Sequence, residues 1–342
     1  MERKNLDIYV TGSNSKMLSK DIVTNFRDRG SEIKVFPLSF KEFYPMSGME
    51  KADALEEYLT YGGMPLAVLE QDETEKRKYL KGLHKRVYIK DIVERYKLKD
   101  DEVLEALIDA LSSAVGSLTN PHNLANAAGT LMKRSTSDNT IKNHLDYLEE
   151  AYLFVSTQRY DIKGKRYFEN TLKYYSMDTG LRNAKLNFRQ QEKSHLMENM
   201  IFIELIRRGY SVDVGVVELV LMKDGKKQQS QYEIDSIVNT GREKVYIQSA
   251  LNVDTETKSG DLLVAELGRL LPQDCHRGRQ RETLDRRGWH HVYGCHPVSV
   301  GGRGENNLKT EISSLSSIVT FRKILIILIK LYLCRVVCPS YC

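Results

Sequence analysis

Between Asp100 and Asp178 the apolar pattern changes period once, and that change limits the architecture more than any other feature of the chain. In DDEVLEALIDALSSAVG, residues Val103, Leu104, Leu107, Ile108 and Leu111 recur every three or four positions, which predicts a helix with one buried face. NPHNLANAAG predicts a short second helix, with Asn120 as its N-cap and Pro121 in its first position. DNTIKNHLDYLEEAYLF predicts a third, capped by Asp138 and lined by Ile141, Leu145 and Leu148. The period then drops to two in FVSTQRYD and RYFENTLKYYSMD, two strands joined through Ile162, Lys163, Gly164 and Lys165. Three helices followed by a two-stranded wing make the winged form of a helix-turn-helix. On that reading the third helix exposes Asn139, Lys142, Asn143 and Asp146, and the wing tip carries Lys163, Lys165 and Arg166. Amides suit base edges and cations suit phosphates, so DNA is one candidate partner. Such a module also serves as a protein-docking or hinge domain, and Asp146, Glu149 and Glu150 would repel a duplex. A protein is the other candidate partner.

The N-terminal segment reads differently. Leu6, Ile8 and Val10 predict a short buried strand, followed by a polar loop of Thr11, Gly12, Ser13 and Asn14. Strand followed by polar loop is where α/β nucleotide-binding folds place groups that sense a phosphate. KDIVTNFRDRG predicts a helix with Ile22, Val23 and Phe26 on one face, and Arg27 and Arg29 read as sensor arginines or as a solvated helix end. In SEIKVFPLSFKEFY, Ile33 and Val35 predict a strand stopped by Pro37, and Phe40, Phe43 and Tyr44 an aromatic-rich turn. From Asp53 to Leu98 the pattern is helical, broken once at Gly62, Gly63 and Pro65. The second of these helices places Leu80, Leu83, Val87, Ile89, Ile92 and Val93 near helical spacing, with Arg86, Lys90 and Arg95 on a solvated face. No G-x-x-x-x-G-K-[ST] occurs in the sequence, and no apolar strand ends in paired acids. Without them the β- and γ-phosphates have no backbone cradle and Mg²⁺ no holder, so this chain is not expected to hydrolyse ATP.

A third segment begins near Gln190. EKSHLMENMIFIELIRRGY predicts a helix with Leu196, Ile203 and Ile206 inward and Met200 between them. SVDVGVVELVLMK, YEIDSIVNT and KVYIQSA predict strands, with DGKK and TGRE as the turns. Two-metal nucleases place an Asp on one hairpin strand and Glu/Gln-x-Lys on the next, the acids holding Mg²⁺ and the lysine orienting water. Here Asp235 takes the first role and Gln248 the second through its carbonyl oxygen, while Ala250 stands where the lysine belongs. Glu198 on the preceding helix adds a carboxylate. A neutral glutamine and an alanine remove two of the three charges, so Asp235 reads as a structural remnant, with an Mg²⁺-dependent nuclease centred on Asp235, Glu198 and Gln248 as the alternative. His84, His122, His144 and His195 are isolated and read as surface or packing residues.

Composition breaks sharply near the end. All five cysteines and the single tryptophan, Trp289, lie beyond residue 270. From Leu271 to Cys342 there are eleven Lys and Arg against five Asp and Glu, a net of +6; the whole chain carries +5, which leaves the first 270 residues at −1. The basicity is therefore a property of the tail and not a nucleic-acid footprint elsewhere. Cys334 and Cys338 lack a second pair at zinc spacing, so no metal site is expected. ILIILIKLYL is too short for a membrane span and contains Lys330, so no membrane association is expected. With neither a signal peptide nor a cysteine before Cys275, the cytoplasm is the expected compartment.

Taken in order, DIYVTGSNSKMLS, FPLSFKEFY, YLTYGGMPLAV, YIKDIVERYKLKD, KYYSMDTGLRNA, LMENMIFIELIRRGY and EIDSIV resemble one family. It is that of the prokaryotic AAA-type ATP-binding proteins ending in a C-terminal domain of unknown function, itself similar to restriction-endonuclease-like PD-(D/E)XK folds. The resemblance runs from about Leu6 to about Lys258. It implies a multidomain chain of α/β and α+β parts: a remnant of the AAA ATPase core over 1–50, a helical lid over 51–100, a winged helix over 101–185 and an incomplete endonuclease-like domain over 190–258. Thr11, Ser13 and Asn14 would fall at the sensor position of the core. The intact parent would use ATP and Mg²⁺; this chain, with no Walker motifs and with Gln248-Ser249-Ala250 in place of Glu-x-Lys, is expected to need no cofactor. Residues 259–342 read as an out-of-frame tail, because DCHRGRQRETLDRRGWHHVYGCHP can be back-translated so that a one-nucleotide shift yields a strand, a charged turn and a second strand.

Overall fold

The computed structural model describes residues 33–98, 101–189, 191–223, 226–239, 244–250, 318–321 and 324–328. The predicted first strand and helix, Thr11, Ser13, Asn14, Arg27, Arg29, the cysteines and Trp289 lie outside the described residues. Two compact units divide the chain: Met1–Ser156 with Leu172–Gln191, and Thr157–Thr171 with Glu192–Cys342.

The first unit is helical. Residues 33–38 form no strand, and Ile33 and Val35 are 76% and 91% exposed. An alternating segment becomes a strand only beside a partner, and none of the described strands pairs with it. The expected aromatic turn is instead helix α1 (Phe40–Ser47). Its start is a capping box: Glu42 N donates to Ser39 Oγ at 3.2 Å and Ser39 N to Glu42 Oε2 at 2.7 Å. Pro45 falls near the end of α1, and Gly48 at φ 63° closes it. Helix α2 (Lys51–Tyr61) ends at the predicted Gly-Gly break, and Pro65 opens a one-turn helix α3 (Pro65–Leu69). The long helix expected next is divided into α4 (Glu73–Leu83), a π turn (His84–Ile89) and α5 (Lys90–Tyr96). Leu80, Ile89 and Ile92 are buried, as their spacing requires.

Helices α6 (Glu102–Ser113), α7 (Pro121–Met132) and α8 (Asp138–Glu150) follow, then strands β2 (Phe154–Asp161) and β3 (Arg166–Ser176); a two-residue strand β1 (Leu118–Thr119) pairs antiparallel with the end of β3. Asn120 caps α7 by accepting from Asn123 N at 2.7 Å. Ser137 rather than Asp138 caps α8, accepting from Thr140 N at 3.1 Å. Asp138 becomes the first helical residue, where its negative charge still interacts favourably with the positive end of the helix dipole. The predicted faces of α6, α7 and α8 meet in one core: Leu104, Leu107, Ile108 and Leu111 pack with Leu124, Ala128, Ile141, Leu145 and Leu148. A short helix not anticipated from the sequence, α9 (Thr179–Lys185), joins that core through Leu181 and Ala184.

The second unit packs helix α10 (Lys193–Arg207) against strands β4 (Ser211–Lys223), β5 (Lys226–Asn239) and β6 (Lys244–Ala250). Leu196, Met200 and Ile203 are buried, but Ile206 is only half-buried and Leu205 takes the inward place. β4 pairs antiparallel with β5, β5 antiparallel with β6, and the end of β2 runs parallel to β4 from Arg159 to Asp161. Lys226 and Lys227, expected in the turn, already belong to β5. β7 (Ile318–Phe321) and β8 (Ile324–Leu328) pair antiparallel, with β8 parallel to β6.

Candidate functional site

On the second unit the antiparallel register of β5 and β6 pairs Ser236 with Ile247, and Asp235 and Gln248 sit one step beyond. Asp235 is 8% exposed. A buried carboxylate only accepts hydrogen bonds and is costly unless donors surround it. Three donors do so: Gln248 Nε2 to Oδ1 at 2.8 Å, and Ser249 N and Oγ to Oδ2 at 2.7 and 2.6 Å. Gln248 therefore turns its amide nitrogen, not its carbonyl oxygen, toward Asp235, correcting the expected geometry. Mg²⁺ calls for several oxygen ligands rich in negative charge, and here a neutral amide turns its N–H toward the single carboxylate, so this donor set does not suit Mg²⁺. Glu198 is buried on α10. Among the described residues no three or more His, Cys, Asp or Glu gather in a group able to hold a metal ion.

The two halves of the expected nucleic-acid surface fall in different units. On α8, Asn139, Lys142, Asn143 and Asp146 are exposed as expected. Glu150 is turned to the Tyr96 hydroxyl, and burial pushes the Glu149 carboxyl above its usual range despite hydrogen bonds from Ser156. At the turn between β2 and β3, Lys163, Lys165 and Arg166 are exposed. Asp161 Oδ1 accepts from Lys163 N and Gly164 N at 3.1 and 2.9 Å, an Asx turn that shapes the tip. Lys163 Nζ donates to Glu218 O at 2.7 Å, and Arg166 lies 3.6 Å from Asp161, so two of the three cations are already engaged.

The densest polar site lies in the first unit and was not anticipated as one. Asp178, the N-cap of α9, accepts from Leu181 N at 3.0 Å and from Gly63 N at 2.7 Å, across 115 residues of sequence. Burial pushes its carboxyl up to about 6, against the downward pull of the Gly63, Leu181 and Gly180 N–H groups. Around it, Thr179 Oγ1 donates to Tyr58 O at 3.0 Å, and Asn183 Nδ2 to Leu59 O and Thr60 O at 2.9 and 2.8 Å. These carbonyls belong to the last turn of α2; Tyr58 O also accepts from the C-cap Gly62 N at 2.8 Å, and the acceptors beyond it have no partner within their own helix. The glycines allow the approach. A Cβ on Gly63 would lie 2.0 Å from Leu38 O, and one on Gly62 would lie 2.2 Å from Asp178 Oδ1. Leu38 is held in turn, its N donating to Gly63 O at 2.7 Å and its O accepting from the Tyr58 hydroxyl at 2.7 Å. Its polar groups engage one another across segments that are far apart in sequence, and so join them.

Residues 1–44 match the family model of an AAA domain, and residues 52–192 match that of a domain of unknown function, DUF8612. An uncharacterized protein of Haemophilus influenzae is 38% identical over 265 residues, which cover 76% of this chain and 63% of that protein. An uncharacterized protein of Methanocaldococcus jannaschii is 29% identical over 274 residues, covering 76% of this chain and 58% of that one. The chain thus spans about three fifths of the length of the curated relatives it matches. The N-terminal match gives it an AAA-like relationship. No helix among the described residues is long and apolar enough to cross a membrane.

Proposed function

We propose that this chain is the coupling portion of an AAA-type, ATP-dependent protein, and that it neither hydrolyses ATP nor cuts DNA by itself. One observation carries the reading: the hydrogen-bonded run from Leu38 through Gly63 to Asp178. It ties the end of the AAA-matching segment to α9 and, through α9, to the α6–α8 core. Movement of a nucleotide-binding core at Leu38 would pass along this run without a flexible joint. The inertness of the second unit is supported by Asp235, whose oxygens Gln248 and Ser249 occupy. On this reading the second unit is an endonuclease-like module that has exchanged metal ligands for hydrogen-bond donors. On the same reading residues 259–342 are an out-of-frame tail, which resequencing the coding region tests. The functional test is phosphate release by the purified chain with MgATP, together with Mg²⁺-dependent cleavage of supercoiled plasmid. Neither is expected, and turnover abolished by Asp235→Ala or by changes at Ser13 and Asn14 would refute the reading.

A second reading, a winged-helix DNA-binding module, is favoured by the exposed Asn139, Lys142 and Asn143 on α8. It predicts duplex binding that falls with salt and is weakened by Lys142→Glu or Lys165→Glu. Binding unchanged in both variants would sink it.

A further inference from the structure

A cleft of about 200 Å³ in the first unit is lined by Lys81, His84 and Lys85 at the junction of α4 with the π turn, Glu105 of α6, and Lys185 and Asn187 at the end of α9. None of these residues belongs to the Asp178 hub. We propose that this cleft binds a small phosphate-bearing anion, and the proposal stands apart from the coupling function above.

Charge points to the ligand's sign. Three ammonium groups line the cleft against the single carboxylate of Glu105. Lys185 is paired to Glu105 and lies 3.4 Å from Asp109, so its charge is largely answered within the protein. Lys81 and Lys85 are exposed, and among the described residues neither has an ion-pair partner. Even with Asp109 included, the site keeps one positive charge in excess. His84 supplies the second, independent observation. Its side chain is buried, 5% exposed, yet among the described residues no hydrogen bond reaches its ring. The ring lines the cleft, so a ligand oxygen there could accept from it. Burial, with help from Lys185, lowers the imidazole to about 4, so near neutral pH it is an uncharged donor. The helix is widened at this residue into a π turn, a local distortion that often accompanies binding sites. Size sets how much of the ligand is held. Clefts for drug-sized molecules run to about 300–1,000 Å³, so the part of the ligand held here is about the size of a phosphate with a few attached atoms.

The test is a titration of the full chain followed through the His84 ring signal in histidine-labelled NMR spectra, assigned by its loss in His84→Gln. Inorganic phosphate is added in one arm and ribose 5-phosphate in the other, at matched ionic strength. A saturable shift, with the His84 pKa moving upward as the anion binds, is the expected result. The double variant Lys81→Gln/Lys85→Gln, altered only at exposed positions, should weaken binding by about tenfold or more, as expected for loss of charge-assisted hydrogen bonds. Tighter binding of ribose 5-phosphate identifies a phosphoester site, and equal or weaker binding a free-phosphate site. A shift that does not saturate, or one the double variant leaves unchanged, overturns the proposal.

Discussion

Gly180 stands early in α9, and replacing it with alanine separates two arguments of opposite sign. Helix propensity alone predicts a gain of up to about 1 kcal/mol. Packing predicts a loss. A Cβ at Gly180 would lie 2.0 Å from Tyr61 O and 2.4 Å from its carbonyl carbon, both backbone atoms at the end of α2. Carbon–oxygen contacts settle at roughly 3.3 Å or more, so α9 and α2 would have to part by about 1 Å. The bonds spanning that gap begin at 2.7–3.0 Å: Gly63 to Asp178, Thr179 to Tyr58, and Asn183 to Leu59 and Thr60. At about 1 kcal/mol net each, losing these four costs about 4 kcal/mol, for a net destabilisation of about 3 kcal/mol. Urea unfolding followed by far-ultraviolet circular dichroism reads this as a fall in midpoint of about 1 M or more. Gly48→Ala is the comparator, since φ is +63° there and nothing lies within 4 Å of the added carbon. It should cost only the strain of a left-handed alanine, about 1 kcal/mol. If Gly180→Ala matched or exceeded the parent while Gly48→Ala fell, the close-approach argument would be wrong.

Asp178 should make stability depend on pH. Its folded pKa of about 6 lies above the usual value of 3.8, so its contribution to stability is greatest below the unfolded pKa and is lost as pH rises through 6. The loss amounts to about 3 kcal/mol, and the gap between parent and Asp178→Asn should change across that window; parallel curves would contradict it. Asp235→Ala strands three donors and should cost about 2 kcal/mol or more in urea unfolding, whereas Mg²⁺ should leave the parent's melting temperature unchanged. Ser39→Ala removes one side of the capping box and should cost about 1 kcal/mol, read in the same unfolding experiment.

What the sequence reveals and what it conceals follow from the range of the interactions. The inward faces of α6, α7 and α8 are legible because each is a stripe repeated within one segment, and Asn120 with Pro121 is a cap complete within a few residues. The strands from β2 to β6 are likewise bounded by local turn residues. Helix α1 is concealed because Pro45 reads as a breaker, although Ser39 and Glu42 spell a capping box at the right spacing. The Ile33–Val35 alternation misleads for the opposite reason: it states a preference that needs a partner strand to be realised. Asp178 and Gly63 are concealed by distance, since nothing local says that a capping aspartate will also accept from a glycine 115 residues away. A signal was present all the same, in two adjacent glycines beside a helix end and an Asp three residues before the apolar Leu181.

The nuclease-like centre shows how far substitution alone can be read. Losing the charges of Glu and Lys from a Glu-x-Lys pattern argues against metal chemistry, but it leaves open what then stabilises a buried aspartate. The structure supplies the answer in Ser249, the residue the motif treats as a spacer: its N–H and hydroxyl take one carboxylate oxygen and the Gln248 amide takes the other. A glutamate at 248 would bring a second negative charge against Asp235 and would call for a cation to offset it. The neutral amide removes that need and donates instead. Restoring Glu at 248 and Lys at 250 would free Oδ1 but leave the Ser249 N–H and hydroxyl on Oδ2, and Ser249→Ala removes only the hydroxyl. Tighter Mg²⁺ binding by the triple variant Gln248→Glu, Ser249→Ala, Ala250→Lys than by the variant that keeps Ser249 is the expected outcome by calorimetry. Binding of equal strength in both would show that the serine is only a bystander.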